Sequence, residues 1–333
     1  MDIDARAVGA LQGLALGDAL GMPTQSMDPD RITATYGPVR GLVDASADQP
    51  IAPSMPAGSV TDDTEQALLV AGLIVKGAGH IDPRELAERL LAWEDDMRAR
   101  GSLDLLGPST KTALEAVRGG ADIDSTGKTG TTNGAAMRVT PVGIANPTAD
   151  ALAFADAVYE SCRVTHDTVQ GFQSAALVAA AVSLAVDGAV VREALEGAVD
   201  LVEGLPPRGA WSPRANVVSR ARTGVALARS SISDRDLPDA IRAQIGTSVE
   251  ANESIPAAIA LAWRYADGPL EGVLAAANLG GDTDTIGCMA GAILGAAHGP
   301  DAWPRDMLEQ VSAVSRLDLG PVAAGLARLR PRQ

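Results

Sequence analysis

Two segments of this chain carry glycine at every fourth position. Gly9, Gly13, Gly17 and Gly21 run through one; Gly287, Gly291, Gly295 and Gly299 run through the other, within the stretch Thr285-IGCMAGAILGAAHG. This spacing puts each set on one face of a helix. A glycine inside a helix costs up to ~1 kcal/mol relative to alanine. In lipid the pattern would suggest a helix-pairing motif; in a soluble protein it predicts a helix packed tightly against another backbone. Two helices that accept this cost are expected to lie near each other at the centre of the fold.

The rest of the composition points the same way. The 333 residues suffice for a substantial core. Only 3% are aromatic, so the core must be built from Ala, Leu, Val and Ile. Few alternating Val/Ile/Tyr/Phe runs occur, which argues against a large sheet. Helices are predicted at about 4–20, 62–76, 82–100, 108–118, 149–164, 167–186, 190–203, 213–229, 235–247, 254–266 and 269–277, with 301–329 mostly helical. Residues 22–60, rich in Pro, Asp and Gly, read as a long irregular segment. Loops are expected at 119–134 and 204–213. No internal repeat or linker divides the chain, so the expectation is an all-α, single compact helical domain spanning 1–333.

The formal net charge is −15, and no run of Lys and Arg offers a basic patch. That argues against a nucleic-acid partner. The acidic N-terminus does not resemble a secretory signal, and apolar runs are interrupted before roughly 18 residues, so no membrane partner is expected. Cys162 and Cys288 are far apart and make no disulfide framework. The expected location is cytoplasmic.

Two clusters carry the chemistry. Ser59-Val-Thr-Asp-Asp-Thr-Glu65 precedes an apolar helix, and Gly280-Gly-Asp-Thr-Asp-Thr285 precedes the second glycine-spaced helix. Each alone reads as helix capping; Asp62 and Glu65 have capping-box spacing. Two such clusters in one chain, each with paired carboxylates and threonines at a helix start, read as halves of a cation site. Oxygen-only ligands suit Mg²⁺, Mn²⁺ or Ca²⁺ rather than zinc.

Four segments together resemble the ADP-ribosylglycohydrolase family: GLALGDALG (Gly13 to Gly21), VTDDT (Val60 to Thr64), NGAAMRVTPVG (Asn133 to Gly143) and LGGDTDTIG (Leu279 to Gly287). They occur in the family's order across nearly the whole chain. The resemblance implies an orthogonal all-α fold with a cleft holding two Mg²⁺ ions, with Mn²⁺ as the alternative. Carried over by position, it implies the ligands Thr61, Asp62, Asp63, Asp282, Asp284 and Thr285. It also implies a glycine-rich loop against ribose and diphosphate, with Thr131, Thr132, Asn133 and Gly134 contacting substrate. The partner implied is a small ribosyl or ADP-ribosyl compound, free or attached to a protein.

Outside those segments, His166 in Val164-THDT reads either as a cap or core residue at a helix start or as a ligand-facing group. Asp18 is expected to hold a neighbouring loop or support the metal. Arg138 reads equally as a partner of these carboxylates and as a surface residue. The sequence departs from the family at one place. Many members carry a glutamate a few residues after GDALG, assigned to catalysis, where this chain has Gln25. An amide cannot act as a general base near neutral pH. The expectation is therefore that Asp62 or Asp282 activates water, while Gln25 recognises the leaving group or a sugar hydroxyl. The activity expected is cleavage of a ribosyl N-glycosidic bond. The alternatives are a nucleoside-type N-ribohydrolase and a metal-binding relative without turnover.

Overall fold

The computed structural model describes residues 1–101 and 106–331. Among these residues there is no strand, and seventeen α-helices make up the fold. In chain order they are α1 (Ile3–Gly21), α2 (Pro29–Tyr36), α3 (Asp62–Lys76), α4 (Pro83–Ala99), α5 (Pro108–Arg118), the short α6 (Gly134–Met137) and α7 (Thr140–Ala145), and α8 (Ala151–His166). There follow α9 (Val169–Val186), α10 (Val191–Gly204), α11 (Val217–Arg229), α12 (Leu237–Gln244), α13 (Ala251–Arg264), α14 (Pro269–Ala277), α15 (Thr283–His298), α16 (Arg305–Ser315) and α17 (Leu319–Ala327).

The two glycine-spaced helices, α1 and α15, pack antiparallel along their bare stripes. A Cβ at Gly13 would stand 2.1 Å from the Gly291 carbonyl oxygen, and one at Gly17 2.0 Å from that of Gly287. A Cβ at Gly9 would meet the carbonyl oxygen of Gly295 at 2.4 Å, and one at Gly21 the backbone of Asp284 at the same distance. No other residue fits at this separation. The helices are held as close as their backbones allow, and both are buried almost throughout. Their antiparallel sense brings the C-terminal end of α1 to the N-terminal end of α15.

α9 is the one helix among the described residues long and apolar enough to cross a bilayer, but 83% of it is buried inside the protein. It is a core helix, packed against α7, α8, α10 and α15. Pro256 inside α13 cannot donate to the Asn252 carbonyl, and Arg220 Nε takes that oxygen instead.

Two expectations need correction, and a third, the mostly helical 301–329 stretch, is refined. The 22–60 segment is not wholly irregular. It holds a 3₁₀ turn at Met22–Thr24 and then α2, started by Asp28 as cap and Pro29 in the first turn, a helix signal hidden within a Pro/Asp-rich stretch. The 301–329 stretch is two helices, broken where Arg316 takes a left-handed conformation at φ 54°. His166 ends α8 rather than opening a helix; Thr168 caps α9 by accepting from Gly171 N.

The α1–α15 contact makes a direct prediction. Gly291→Ala should cost about 3 kcal/mol or prevent folding, because the new methyl meets backbone that cannot yield. Gly72→Ala, at an exposed position in α3 with nothing within 4 Å, should instead add about 0.5–1 kcal/mol. Thermal melts of the two variants should move in opposite directions, and parallel shifts would contradict the close packing.

Candidate active site

Asp18 begins the site. It lies near the C-terminal end of α1, wholly buried, and accepts from Thr61 N at 3.0 Å, Thr64 N at 3.2 Å and the Thr64 hydroxyl at 2.5 Å. These are orphan donors at the start of α3, so a carboxylate from another helix binds the positive end of this one. The structure thus gives Asp18 a holding role, directed at α3 rather than at the segment following α1. The capping box does not form. Thr61 is the cap, accepting from Asp63 N at 3.3 Å, and Asp62 is already helical. Glu65 instead accepts from Trp93 Nε1 and Arg100.

The second cluster arrives with α15. Thr283 Oγ1 donates to the Gly21 carbonyl, and Thr24 Oγ1 lies 3.0 Å from Thr283 Oγ1. Backbone bonds from Ser26 N to Gly281 O and from Gly281 N to Met27 O fasten the Gln25 segment to the same place. Asp62 and Asp63 therefore face Asp282 and Asp284 across one cleft, and Thr285 Oγ1 donates to Asp63 Oδ1 at 3.4 Å.

The cleft has a volume of about 440 Å³. Its walls include Gln25, Asp62, Asp63, Thr132, Asn133, Gly134, Asp282, Asp284 and Thr285. These were all expected from the sequence. Ser26, Ile51, Leu106, Thr110, Lys111 and Val249 also line it and carried no motif that could single them out, and Met137 joins them from within the Asn133 to Gly143 segment, where no role had been given to it. Among the described lining residues the cation is Lys111, and there is no aromatic ring. A larger groove of about 530 Å³ lies between α10 and α11, but its charges already form exposed ion pairs, Arg222 with Asp200 and Arg229 with Glu196.

The glycine-rich loop forms the opposite wall. Asn133 Nδ2 donates to Asp282 Oδ2 at 2.5 Å and to Ser254 Oγ at 3.0 Å, joining this loop to the second cluster. A backbone bridge between Thr132 and Glu250 pins the loop to the start of α13. Thr132 lines the cleft and Thr131 is not among its walls, although substrate contact was expected of both. The Thr131 carbonyl accepts from Ala251 N and Gln170 Nε2 behind the wall.

Two further residues sit elsewhere than the sequence suggested. His166 is fully buried behind the loop, between Thr165 Oγ1 and Thr132 Oγ1, and does not reach the cleft surface. The loop covers it, with Thr132 standing between the ring and the cleft. Arg138 is no surface residue. It is fully buried and donates to Gln66 Oε1 and Thr165 Oγ1. Burial pulls its pKa down to about 10, so it remains charged.

The electrostatics of the cleft are strained in favour of a cation. Burial pushes Asp18 up to about 6, against the lowering effect of its Thr64 and Thr61 bonds. Burial likewise pushes Asp282 up to about 6, opposed by the Asn133 bond. Asp63 is held well above the usual range, first by burial and then by Asp284, Asp62, Asp18 and Asp282. Asp63 Oδ2 is buried with no hydrogen-bond partner. Among the described residues no three such side chains are drawn together as a finished ion cage. The carboxylates stand around a cleft, a donor set that fits hard divalent ions sharing their coordination with ligand and water.

A sequence model of the ADP-ribosylglycohydrolase family matches residues 1–333. The chain belongs to the ADP-ribosylglycohydrolase family. It is 32% identical to an uncharacterized protein, YegU, of Escherichia coli, over 98% of each chain. It is 29% identical to the human ADP-ribosylhydrolase ARH3, covering 95% of this chain and 91% of that one. It is 27% identical to the ADP-ribosylarginine hydrolase Tri1 of Pseudomonas putida, covering 92% and 74%. A solved structure titled ADP-ribosylglycohydrolase-related protein complex shares the fold, with a TM-score of 0.71 at 24% identity over 98% and 99% of the two chains. The activity of the ADP-ribosylglycohydrolase family is hydrolytic cleavage of a glycosidic bond.

In this ADP-ribosylglycohydrolase-family chain the raised carboxyls bind protons in the folded state at pH values where the unfolded chain has released them. Their contribution to stability is therefore full below about pH 4 and lost as pH rises through about 6. In chelator-treated protein the melting temperature should rise as pH falls from about 7.5 to about 5.5. A flat or falling series over that window would contradict the buried cluster.

Proposed function

We propose that this chain is a divalent-cation-dependent hydrolase that cleaves the N-glycosidic bond at C1 of a ribose, with an ADP-ribosyl compound as substrate. The observation that carries the reading is the unpartnered, buried Asp63 Oδ2, set among Asp18, Asp62, Asp282 and Asp284 at the cleft. Carboxylates in mutual repulsion are costly unless a cation joins them. Asp62, Asp63, Asp282 and Asp284, with the hydroxyls of Thr61 and Thr285, would hold the two Mg²⁺ ions. Bound there, Mg²⁺ would supply Lewis-acid polarisation and a template for the ribose hydroxyls.

The chain's own groups account for the remaining steps. Asn133 fixes Asp282 through Oδ2, and Asp282 takes a proton from the water that attacks C1. Asp62, steadied by Gln66 Nε2 at 3.0 Å, shares that role. The carboxylates together offset the positive charge that develops on an oxocarbenium-like sugar. Gln25 is 6% exposed on the cleft wall, its carbonyl fixed by Gln49 Nε2 and its own Nε2 without a partner. We infer that this unpartnered amide donates to the leaving group, which would then be a hydrogen-bond acceptor. The relatives named for ADP-ribosylarginine hydrolysis and for ADP-ribosyl hydrolysis support the ADP-ribosyl substrate.

A second reading, a nucleoside-type N-ribohydrolase, is favoured by a specific observation: no aromatic ring among the described lining residues is available to stack an adenine. Mass spectrometry of products from ADP-ribosyl-arginine, ADP-ribosyl-serine peptides and a ribonucleoside panel, with Mg²⁺ or Mn²⁺, separates the two. The expected result is release of ADP-ribose that EDTA stops and that Asp62→Asn or Asp284→Asn lowers by at least about a hundred-fold. Free ribose from a nucleoside, with ADP-ribosyl compounds untouched, would select the second reading. Full activity in either variant would remove the metal assignment, and no turnover of any substrate by a chain that binds Mg²⁺ would mark a metal-binding relative without catalysis.

A further inference from the structure

Behind the glycine-rich loop runs a buried series of hydrogen bonds whose direction is fixed at its centre. Arg138 Nη1 donates to Gln66 Oε1 at 3.2 Å, and Nη2 donates to Thr165 Oγ1 at 2.6 Å. A guanidinium accepts nothing, so both partners must accept. Gln66 is thereby turned with Nε2 toward Asp62 Oδ2. Thr165 keeps one proton to donate. His166 Nδ1 stands 2.8 Å away and the Cys162 carbonyl 3.5 Å, so the imidazole receives it. A neutral ring that accepts at Nδ1 carries its proton on Nε2. Nε2 then donates to Thr132 Oγ1 at 3.1 Å. Burial and the Arg138 charge hold the imidazole well below its usual range, which keeps it neutral.

Packing fixes where the ring sits. A Cβ at Gly134 would stand 3.1 Å from His166 Cε1, one at Gly171 2.7 Å from His166 Cβ, and one at Gly130 2.8 Å from His166 Cα. Three glycines, two from the loop and one from α9, thus give way to seat one histidine. Thr132 ends the series at the cleft wall, and because its oxygen has accepted from His166, its proton is left for the cleft.

We propose that Arg138, Thr165 and His166 are positioning residues forming a one-way relay that makes the Thr132 hydroxyl a dedicated donor, so that this wall selects an acceptor oxygen on the ligand. The ligand part of this proposal rests on the reading of the cleft as a ribosyl site; the proton pattern does not.

Ring ¹⁵N spectra test the relay without activity or ligand. The chain has three histidines, His80, His166 and His298, so single substitutions of the other two assign the signals. The relay requires Nε2–H and a bare, accepting Nδ1 on His166 at about pH 7, and Thr165→Val should mix the two neutral tautomers. An Nδ1–H or doubly protonated ring in the native chain overturns the relay, and this holds even where variants of Arg138 fail to fold. Calorimetry with ADP-ribose and Mg²⁺ then tests the donor. Thr132→Val should weaken binding by about ten-fold or more and Thr132→Ser should retain it. Equal affinity of Thr132→Val and the native chain overturns the donor role. If ADP-ribose and ribose both fail to bind the native chain while His166 shows Nε2–H, the relay is upheld and the ribosyl reading of the cleft falls.

Discussion

The backbone contact between α1 and α15 is the constraint from which the rest of this structure follows. Carbonyl oxygens of one helix lie where the side chains of the other would begin. Such a contact gains dispersion along its length and fixes the relative position of two helices with little freedom to slide. Its antiparallel sense has a chemical consequence. The last turn of α1 delivers Asp18 and the first turn of α15 delivers Asp282 and Asp284 to one end of the central pair. Asp18 then seizes the start of α3, and with it Asp62 and Asp63.

The site so assembled is held under electrostatic load. Burial raises the pKa of Asp18 and Asp282, and burial together with the neighbouring carboxylates raises that of Asp63, a cost that ordinary packing would remove by substituting neutral residues. The fold surrounds this load with neutral donors rather than with lysines: the Asn133 and Gln66 amides and the hydroxyls of Thr64 and Thr285. Such groups orient a carboxylate without neutralising it, which leaves its charge available to a cation. Arg138, a large cation buried behind the cleft, addresses its neighbours through hydrogen bonds to Gln66 and Thr165.

Much of this was legible in the sequence. The four-residue glycine period located both central helices and their contact, because only a missing side chain explains repeated glycine inside a helix. The paired Asp/Thr segments marked both halves of the cleft, because charge repeated at two helix starts exceeds what capping needs. The helix start at Asp28–Pro29 was missed because composition outweighed a local cap signal. The places of His166 and Thr131 were missed because which residue a loop covers, and which it keeps off the cleft wall, cannot be read from residue type.

The sequence by itself determined the class of fold, the central helix pair and the acidic halves of the site, since periodicity and local charge are properties of neighbouring residues. Only the tertiary structure decided that Asp18 holds α3, that Thr132 rather than Thr131 faces the cleft, and that His166 and Arg138 lie behind it. Those facts depend on which atoms from distant segments meet in a space that excludes water, where each buried donor must find its acceptor.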